Sequence, residues 1–214
     1  MQIGVFDSGK GGAFVADRLR QLVPSCTFVL VDDAANVPYG SRPSSEVIEL
    51  TDQAIQPLLG TCPIIIIACN TATTAGIHEL RRRHPNTVFI GIEPMLKPAQ
   101  AQTKTGRITV LATPATLRSK RYLELKQLFT SVSIVDEPDT VDWARKIEDG
   151  LAHKIDLSPL RGSISNGSDT LVLACTHYIG IKDRLQKAYP AVAILEPSGA
   201  IAERLMQLLP QHSR

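Results

Sequence analysis

The sequence repeats parts of itself at a spacing of a little over one hundred residues. The segment IGVFDSGKGG begins at Ile3, and the similar segment ITVLATPATL begins at Ile108, 105 positions later. IIIIACNT and LVLACTH place cysteines at Cys69 and Cys175, 106 positions apart, and GIEP recurs as ILEP 103 positions later. Three matches at nearly one spacing predict two similar halves of about 100 residues each, an ordinary domain size.

Short apolar runs alternate with longer segments of helical period through both halves. The runs are continuously apolar, which is typical of parallel strands that are covered on both faces. The predicted strands are 3–6, 27–32, 63–68, 87–92, 107–112, 132–136, 169–174 and 191–195. The predicted helices are 11–23, 45–59, 74–83, 117–129, 140–152, 181–189 and 199–209, and 158–169 is the least regular stretch. This order predicts an α/β fold of two pseudo-symmetric, doubly wound domains with mainly parallel sheets.

Composition excludes several classes of protein. The formal net charge is +2, so no strong field favours nucleic acid or an anionic membrane as a partner, and no apolar stretch reaches the roughly 20 residues of a membrane span. The N-terminus has no basic region before its first predicted strand, so we expect no signal peptide and a cytoplasmic protein. The four cysteines fit no zinc signature, which predicts free thiols and no metal.

Polar side chains stand where the predicted strands end and helices begin. Asp7-Ser8, Cys69-Asn70-Thr71, Thr113 and Cys175-Thr176-His177 all fall at such points. Ligands of parallel sheets bind beyond the carboxyl ends of the strands, where helix N-termini offer free N–H groups to an anion. The same position is expected to lower the pKa of a cysteine from its free value of about 8.5.

Two cysteines at equivalent places in two halves indicate one kind of reaction. Inverting a carbon centre through a carbanion needs a base on one face and an acid on the other, and two thiols can exchange these roles. Asp7 and His177 are candidates to hold or relay a proton for the neighbouring thiol. No lysine stands in an obvious cofactor signature, so we predict a reaction without a cofactor.

At these residues the sequence resembles the glutamate racemase branch of the aspartate/glutamate racemase superfamily, nearly from end to end. The matching motifs are FDSGKGG (6–12), VPYG (37–40), ACNTAT (68–73), GIEP (91–94), ATPAT (112–116) and ACTHY (174–178). The resemblance implies cofactor-independent interconversion of L- and D-glutamate for peptidoglycan synthesis, in a cleft between two domains and often in a homodimer. It also implies a first domain of residues 1–95 plus 192–214 and a second domain of residues 96–191.

The resemblance also implies roles for individual residues. Cys69 matches the thiol that takes the α-proton of the D-isomer, Cys175 matches the thiol that acts on the L-isomer, and Asp7 and His177 match their helpers. The residues that resemble substrate contacts are Asp7, Ser8, Tyr39, Gly40, Asn70, Thr71, Thr113, Thr116, Thr176 and His177. Glu148, in the stretch DEPDTVDWARKIEDG (136–150), resembles the acid that ends a further family motif, and we predict an auxiliary role for it.

The sequence departs from the family in its second half. The chain is short for the family, Ile179 and Gly180 replace the usual Pro and Leu after CTHY, and Pro114 stands where a small flexible residue is usual. These departures bear on the identity of the substrate more than on the type of reaction. Some family members carry an N-terminal extension that responds to a cell-wall precursor. Because this chain begins on its first strand, we expect no such regulation.

Other functions fit parts of the pattern. An aspartate racemase or another isomerase of the superfamily would use the same thiols, and a racemase-like binding protein would have little activity. A hydrolase with Cys175 and His177 as nucleophile and base is disfavoured, because the base normally comes from elsewhere in the fold. Gly4 to Lys10 spells a phosphate-loop pattern, but Gly11 stands where Ser or Thr would bind Mg²⁺ and Gly4 lies inside a predicted strand.

Overall fold

The computed structural model describes residues 1–129 and 133–212 of the chain. Residue 132, the first of the strand predicted at 132–136, lies outside the described residues. No helix in the described ranges combines the length and the apolar character needed to cross a membrane.

The first half consists of four strands that alternate with helices. Its elements are β1 (Gln2–Asp7), α1 (Gly11–Leu22), β2 (Thr27–Asp32), α2 (Ser44–Ala54), β3 (Ile64–Ile67), α3 (Asn70–Arg83) and β4 (Val88–Gly91). All pairings are parallel, and the strands lie in the order β2-β1-β3-β4. The predicted helix 45–59 is divided, because Pro57 lies in a separate 3-10 turn, Gln56–Leu58.

The second half repeats this plan. Its elements are α4 (Leu96–Gln102), β5 (Arg107–Leu111), α5 (Pro114–Arg118), α6 (Lys120–Phe129), β6 (Ile134–Asp136), α7 (Trp143–Glu148), α8 (Arg161–Ser165), β7 (Thr170–Leu173), α9 (Lys182–Ala188), β8 (Ala193–Leu195) and α10 (Ser198–His212). Its four strands are parallel and lie in the order β6-β5-β7-β8, the counterpart of the first sheet. The prediction of an α/β fold with two similar parallel sheets is confirmed.

Each sheet is covered on both faces because its central strands alternate buried side chains between two cores. On β3, Ile64 and Ile66 pack with α1 and α10, whereas Ile65 and Ile67 pack with α2 and α3. In the second sheet, Leu171 and Leu173 lie in a core with Trp143 and Leu185, and Val172 lies in another with Tyr122 and Leu96. Burial of this kind stabilises each half by roughly 25 cal/mol per Å² of apolar surface.

Two α-helices within the described ranges were not predicted. α4 was missed because it is short and contains Pro98, and α8 was missed because its five residues include Gly162 within the polar stretch that we interpreted as irregular. The predicted helix 117–129 is two helices, α5 and α6, with a break at Ser119.

One boundary in the predicted division into domains needs correction. A first domain that resumes at residue 192 would include β8, but β8 is hydrogen-bonded to β7 in the second sheet. Helix α10, by contrast, buries Ile201 and Leu205 in the core beneath β1 and β3. Backbone pairing therefore moves the return to the first half to about residue 196, after β8, and the division itself stays a proposal.

Candidate active site

A cavity of about 430 Å³ lies where the carboxyl ends of the two sheets face each other. Its walls contain residues that follow β1, β3, β5 and β7, which is where ligands of parallel sheets are expected. The predicted site residues in its lining are Ser8, Tyr39, Gly40, Cys69, Asn70, Thr71, Thr113, Thr116, Cys175, Thr176 and His177. Asp7 and Glu148 do not line the cavity, but both contact residues that do.

Cys69 occupies the N-cap position of α3. Its backbone is extended, and its Sγ accepts a hydrogen bond from the backbone N–H of Ala72 at 3.4 Å. The Ser8 hydroxyl lies 3.4 Å from the same sulfur. The chain after β3 thus places a buried thiol at the start of a 14-residue helix, where free N–H groups are available.

Cys175 occupies the matching place after β7, but the chain continues differently. The residues that follow form a 3-10 turn, Thr176–Ile181, before α9 begins, and the Cys175 side chain does not cap that turn. Its sulfur lies 3.9 Å from Nδ1 of His177. The two thiols therefore line one cavity from corresponding strands, each with its own set of neighbours.

Burial decides the acidity of both thiols. It raises the pKa of Cys69 to about 11, and the nearby Asp7 carboxylate acts in the same direction, while the Ser8 and Ala72 contacts oppose it only in part. Burial also raises the pKa of Cys175, with the backbone N–H of His177 opposing and the charges of Asp7 and Cys69 adding. The expectation that strand-end placement lowers these pKa values is wrong for this structure, because desolvation outweighs the helix N-terminus.

Asp7 is fully buried behind the cavity wall and joins the two halves. One carboxylate oxygen accepts from the Thr176 hydroxyl at 2.8 Å, and the other accepts from the backbone N–H of Gly9 at 3.0 Å. Burial raises the pKa of Asp7 to about 6, although His177 and these two hydrogen bonds act against the increase. Asp7 therefore changes charge close to neutral pH, within electrostatic reach of both thiols.

Glu148 is the last residue of α7, and its carboxylate contacts His177, the neighbour of Cys175. Its Oε2 lies 2.6 Å from Nε2 of His177 and also accepts from the backbone N–H of Lys10 at 3.0 Å. A carboxylate at Nε2 favours the tautomer with hydrogen on that nitrogen, which leaves Nδ1 toward Cys175 as an acceptor. The structure thus brings Glu148 into the same cluster as His177 and Cys175.

Polar groups in the lining differ in whether they already have hydrogen-bond partners within the protein. The Tyr39 hydroxyl donates to Asp33 at 2.7 Å, so it is occupied within the first half. The Thr71 and Thr113 hydroxyls lie 3.5 Å apart across the cavity from the two halves. The buried Oδ1 of Asn70 has no hydrogen-bond partner among the described residues. An unpaired buried acceptor is costly, and a donor on a ligand would satisfy it.

Close packing at Gly11 holds the two halves together at the site. A Cβ at this position would lie 2.3 Å from the Thr176 hydroxyl and 2.9 Å from the backbone nitrogen of His177. A glycine is therefore required for the first turn of α1 to approach the turn that follows Cys175.

Sequence reasoning missed two cations in the lining. Arg118 at the end of α5 and Arg145 on α7 both line the cavity and are exposed at its edge. Arg145 lies 3.3 Å from Asp149, an exposed pair that contributes little stability. The signal that could have found Arg118 is its position two residues after Thr116, in the same short helix. Among the described residues, no cluster of His, Cys, Asp and Glu suits a metal ion.

The chain is similar to known racemases over almost its whole length. A family model described as Asp/Glu/Hydantoin racemase matches residues 15–205. Glutamate racemases of Ectopseudomonas mendocina (strain ymp) and Pseudomonas paraeruginosa (strain DSM 24068 / PA7) are 37% and 38% identical to it, across 98% and 97% of this chain and 82% and 81% of the relatives. These alignments include the segments that line the cavity.

Solved structures agree with this relationship. The crystal structure of Escherichia coli glutamate racemase in complex with L-glutamate and the activator UDP-MurNAc-ala matches with a TM-score of 0.87 at 28% identity, covering 99% of this chain and 82% of that one. Fold, sequence similarity and the paired strand-end cysteines lead to one assignment. This chain is a racemase, an isomerase, and it belongs to the Asp/Glu/Hydantoin racemase family.

Proposed function

We propose that this protein interconverts L- and D-glutamate without a cofactor, with two thiols acting on opposite faces of the α-carbon. The observation that carries the proposal is that Cys69 and Cys175 end corresponding strands of two similar sheets and line one cavity. Relatives that are 37% and 38% identical to the chain are glutamate racemases, which supports glutamate as the substrate.

The lining suits a small dicarboxylic amino acid. The Thr71 hydroxyl can donate to a carboxylate oxygen, whereas the Thr176 hydroxyl already donates to Asp7 and can accept from an ammonium group, as can the unpaired Oδ1 of Asn70. Within the described lining, the Arg and Lys side chains are Arg118 and Arg145, and Asp and Glu are absent, so these cations favour a ligand of net negative charge. Glutamate carries two carboxylates and one ammonium group and so matches this distribution.

The two thiols together take one proton from the substrate and return one, so the proton transfers balance. In the L-to-D direction the Cys175 thiolate takes the α-proton, and the Cys69 thiol donates its proton to the opposite face of the planar carbanion. Cys175 is then a thiol and Cys69 a thiolate, which is the state required for the D-to-L direction. Asp7 and His177 assist the thiols that they neighbour, and Glu148 holds His177.

The raised pKa values indicate when the thiolate forms. Burial favours the neutral thiols, and the Asp7 carboxylate adds to this effect at Cys69. An ammonium group bound near Asp7 would offset that negative charge and so lower the pKa of either thiol. We infer that binding of the amino acid itself prepares the base.

We further propose that the enzyme works in the cytoplasm as a homodimer and supplies D-glutamate for peptidoglycan. These properties follow from the family resemblance. The division into a first domain of 1–95 plus the C-terminal helix and a second domain between them belongs to the same proposal, with β8 now assigned to the second.

Circular dichroism of amino-acid solutions tests the proposed activity directly. L-glutamate and L-aspartate are incubated separately with the pure protein, and the optical signal is followed to equilibrium. We expect the glutamate signal to decay to zero and the aspartate signal to persist. Decay with aspartate alone would assign the alternative substrate, and no decay with either would reject an acidic amino acid as substrate.

A further inference from the structure

Lys10 makes two contacts across the boundary between the halves that the proposed function does not use. Its backbone N–H donates to Oε2 of Glu148 at 3.0 Å, and its ammonium group donates to the main-chain oxygen of Glu148. Lys10 follows β1 in the first half, whereas Glu148 is the last residue of α7 in the second. Both bonds therefore hold the end of α7 against the loop after β1.

Helix α7 needs such support because it is short. Its six residues, Trp143–Glu148, are too few for a helix to be stable without packing. A cation that donates to a carbonyl group at a helix C-terminus satisfies an orphan acceptor and interacts favourably with the helix dipole. Among the described residues, Lys10 is the one donor recorded for the Glu148 carbonyl oxygen.

The loop that carries Lys10 fits closely on Glu148. A Cβ built at Gly9 would lie 2.7 Å from Oε2 of Glu148, so the main chain approaches the carboxylate as nearly as a glycine allows. The same Oε2 lies 2.6 Å from Nε2 of His177, whose other ring nitrogen lies 3.9 Å from Sγ of Cys175. One continuous set of contacts thus leads from Lys10 through Glu148 and His177 to the second thiol.

We propose that Lys10 is a positioning residue for the racemase reaction. It holds Glu148 against His177, so that His177 stays oriented to assist Cys175. The inference rests on the proposed function. Cys69 lies outside this set of contacts, because its neighbours are Ser8 and the first turn of α3. Loss of the Lys10 ammonium group should therefore affect proton removal by Cys175 more than proton removal by Cys69.

The test compares wild type with K10M, K10R and the control K182M. Lys182 is a lysine of another helix whose ammonium group lies 3.9 Å from Glu196, away from the cavity lining. We expect K10M to lower kcat about 10-fold, K10R to restore most of it because arginine can also donate to the carbonyl, and K182M to match wild type. Lys10 is exposed, so K10M should fold, and far-ultraviolet circular dichroism checks this.

Two further readouts separate positioning from a general loss of structure. The deuterium isotope effect on kcat/KM should rise for α-deuterated L-glutamate in K10M and stay near the wild-type value for α-deuterated D-glutamate. Nitrogen-15 NMR of histidine should show His177 with hydrogen on Nε2 in wild type and a tautomer mixture in K10M. Wild-type kcat, isotope effects and tautomer in K10M would overturn the role of Lys10, whereas an inactive wild type would instead reject the proposed function.

Discussion

The two halves have the same strand order but surround their cysteines differently. After β3 the chain enters a 14-residue α-helix directly, and Cys69 caps it with Ser8 at its side. After β7 it enters a 3-10 turn, and Cys175 has His177 as its neighbour, with Glu148 behind. Similar backbones thus place equivalent thiols, while local chain geometry determines what assists each of them.

This difference fits a reaction that must run in both directions. A thiol pair needs similar placement on opposite faces of one carbon, but the two groups need not be activated alike. Burial raises the pKa of both thiols, and each has different groups that oppose the effect. The comparison between the halves can therefore be examined by removing the assistance on one side at a time.

Removal of either thiol should have the largest effect. We expect C69A and C175A each to lower racemisation on the order of 10³-fold or more, because general acid–base groups contribute at that scale. In deuterated water C175A should still exchange the α-proton of D-glutamate, and C69A that of L-glutamate, as NMR would show. C62A is the matched control, since Cys62 is buried on the same core but does not line the cavity. The reverse pattern of exchange would contradict the assignment of faces.

Asp7 should make stability depend on pH in a way that D7N removes. Its pKa is raised from 3.8 to about 6 by burial, so its contribution to stability is fully present below pH 3.8 and is lost as pH rises through 6. Between pH 4 and pH 7, D7N should gain about 2 kcal/mol in the free energy of unfolding relative to wild type. Urea denaturation at both pH values measures this difference. If the free energy of unfolding changes with pH equally in wild type and D7N, Asp7 is not buried as described.

Replacement of His177 should impair proton transfer by Cys175 more than proton transfer by Cys69. We expect H177Q to lower kcat about 100-fold, because glutamine keeps some polarity but cannot relay a proton. The isotope effect should rise more for α-deuterated L-glutamate than for D-glutamate. H78Q is the control, since His78 is exposed on α3 outside the cavity lining. Equal changes for both enantiomers would remove the distinction between the two sides.

Removal of the Ser8 hydroxyl, which lies beside Cys69, should have the smallest effect on activity. S8A removes a hydroxyl that lies 3.4 Å from Sγ of Cys69, so the pKa of this thiol should rise further and kcat should fall about 5-fold. S198A is the control, because the buried Ser198 hydroxyl has no hydrogen-bond partner among the described residues. The pH dependence of kcat for both variants measures the effect, and an unchanged profile in S8A would show that the Ser8 contact does not assist Cys69.

Strand positions and the cavity residues at strand ends were predictable because both depend on short-range patterns, whereas Tyr39, Gly40 and Thr116 were expected only from the family resemblance. The runs before Cys69 and Cys175 are continuously apolar, and a parallel sheet brings their ends to one edge. The acidity of the thiols was not predictable, since it depends on how completely the halves exclude water from them. Arg118, Arg145 and the Lys10 contacts were also missed, because they depend on the way the two halves pack.

Racemisation of L-glutamate in deuterated water tests the two-thiol mechanism most directly. Early in the reaction with wild-type protein, mass spectrometry of the separated enantiomers gives the deuterium content at the α-carbon of each. The mechanism predicts that newly formed D-glutamate carries solvent deuterium while the remaining L-glutamate keeps its original hydrogen, because different thiols serve the two faces. D-glutamate that retains the original hydrogen, or deuterium appearing equally fast in both enantiomers, would contradict it.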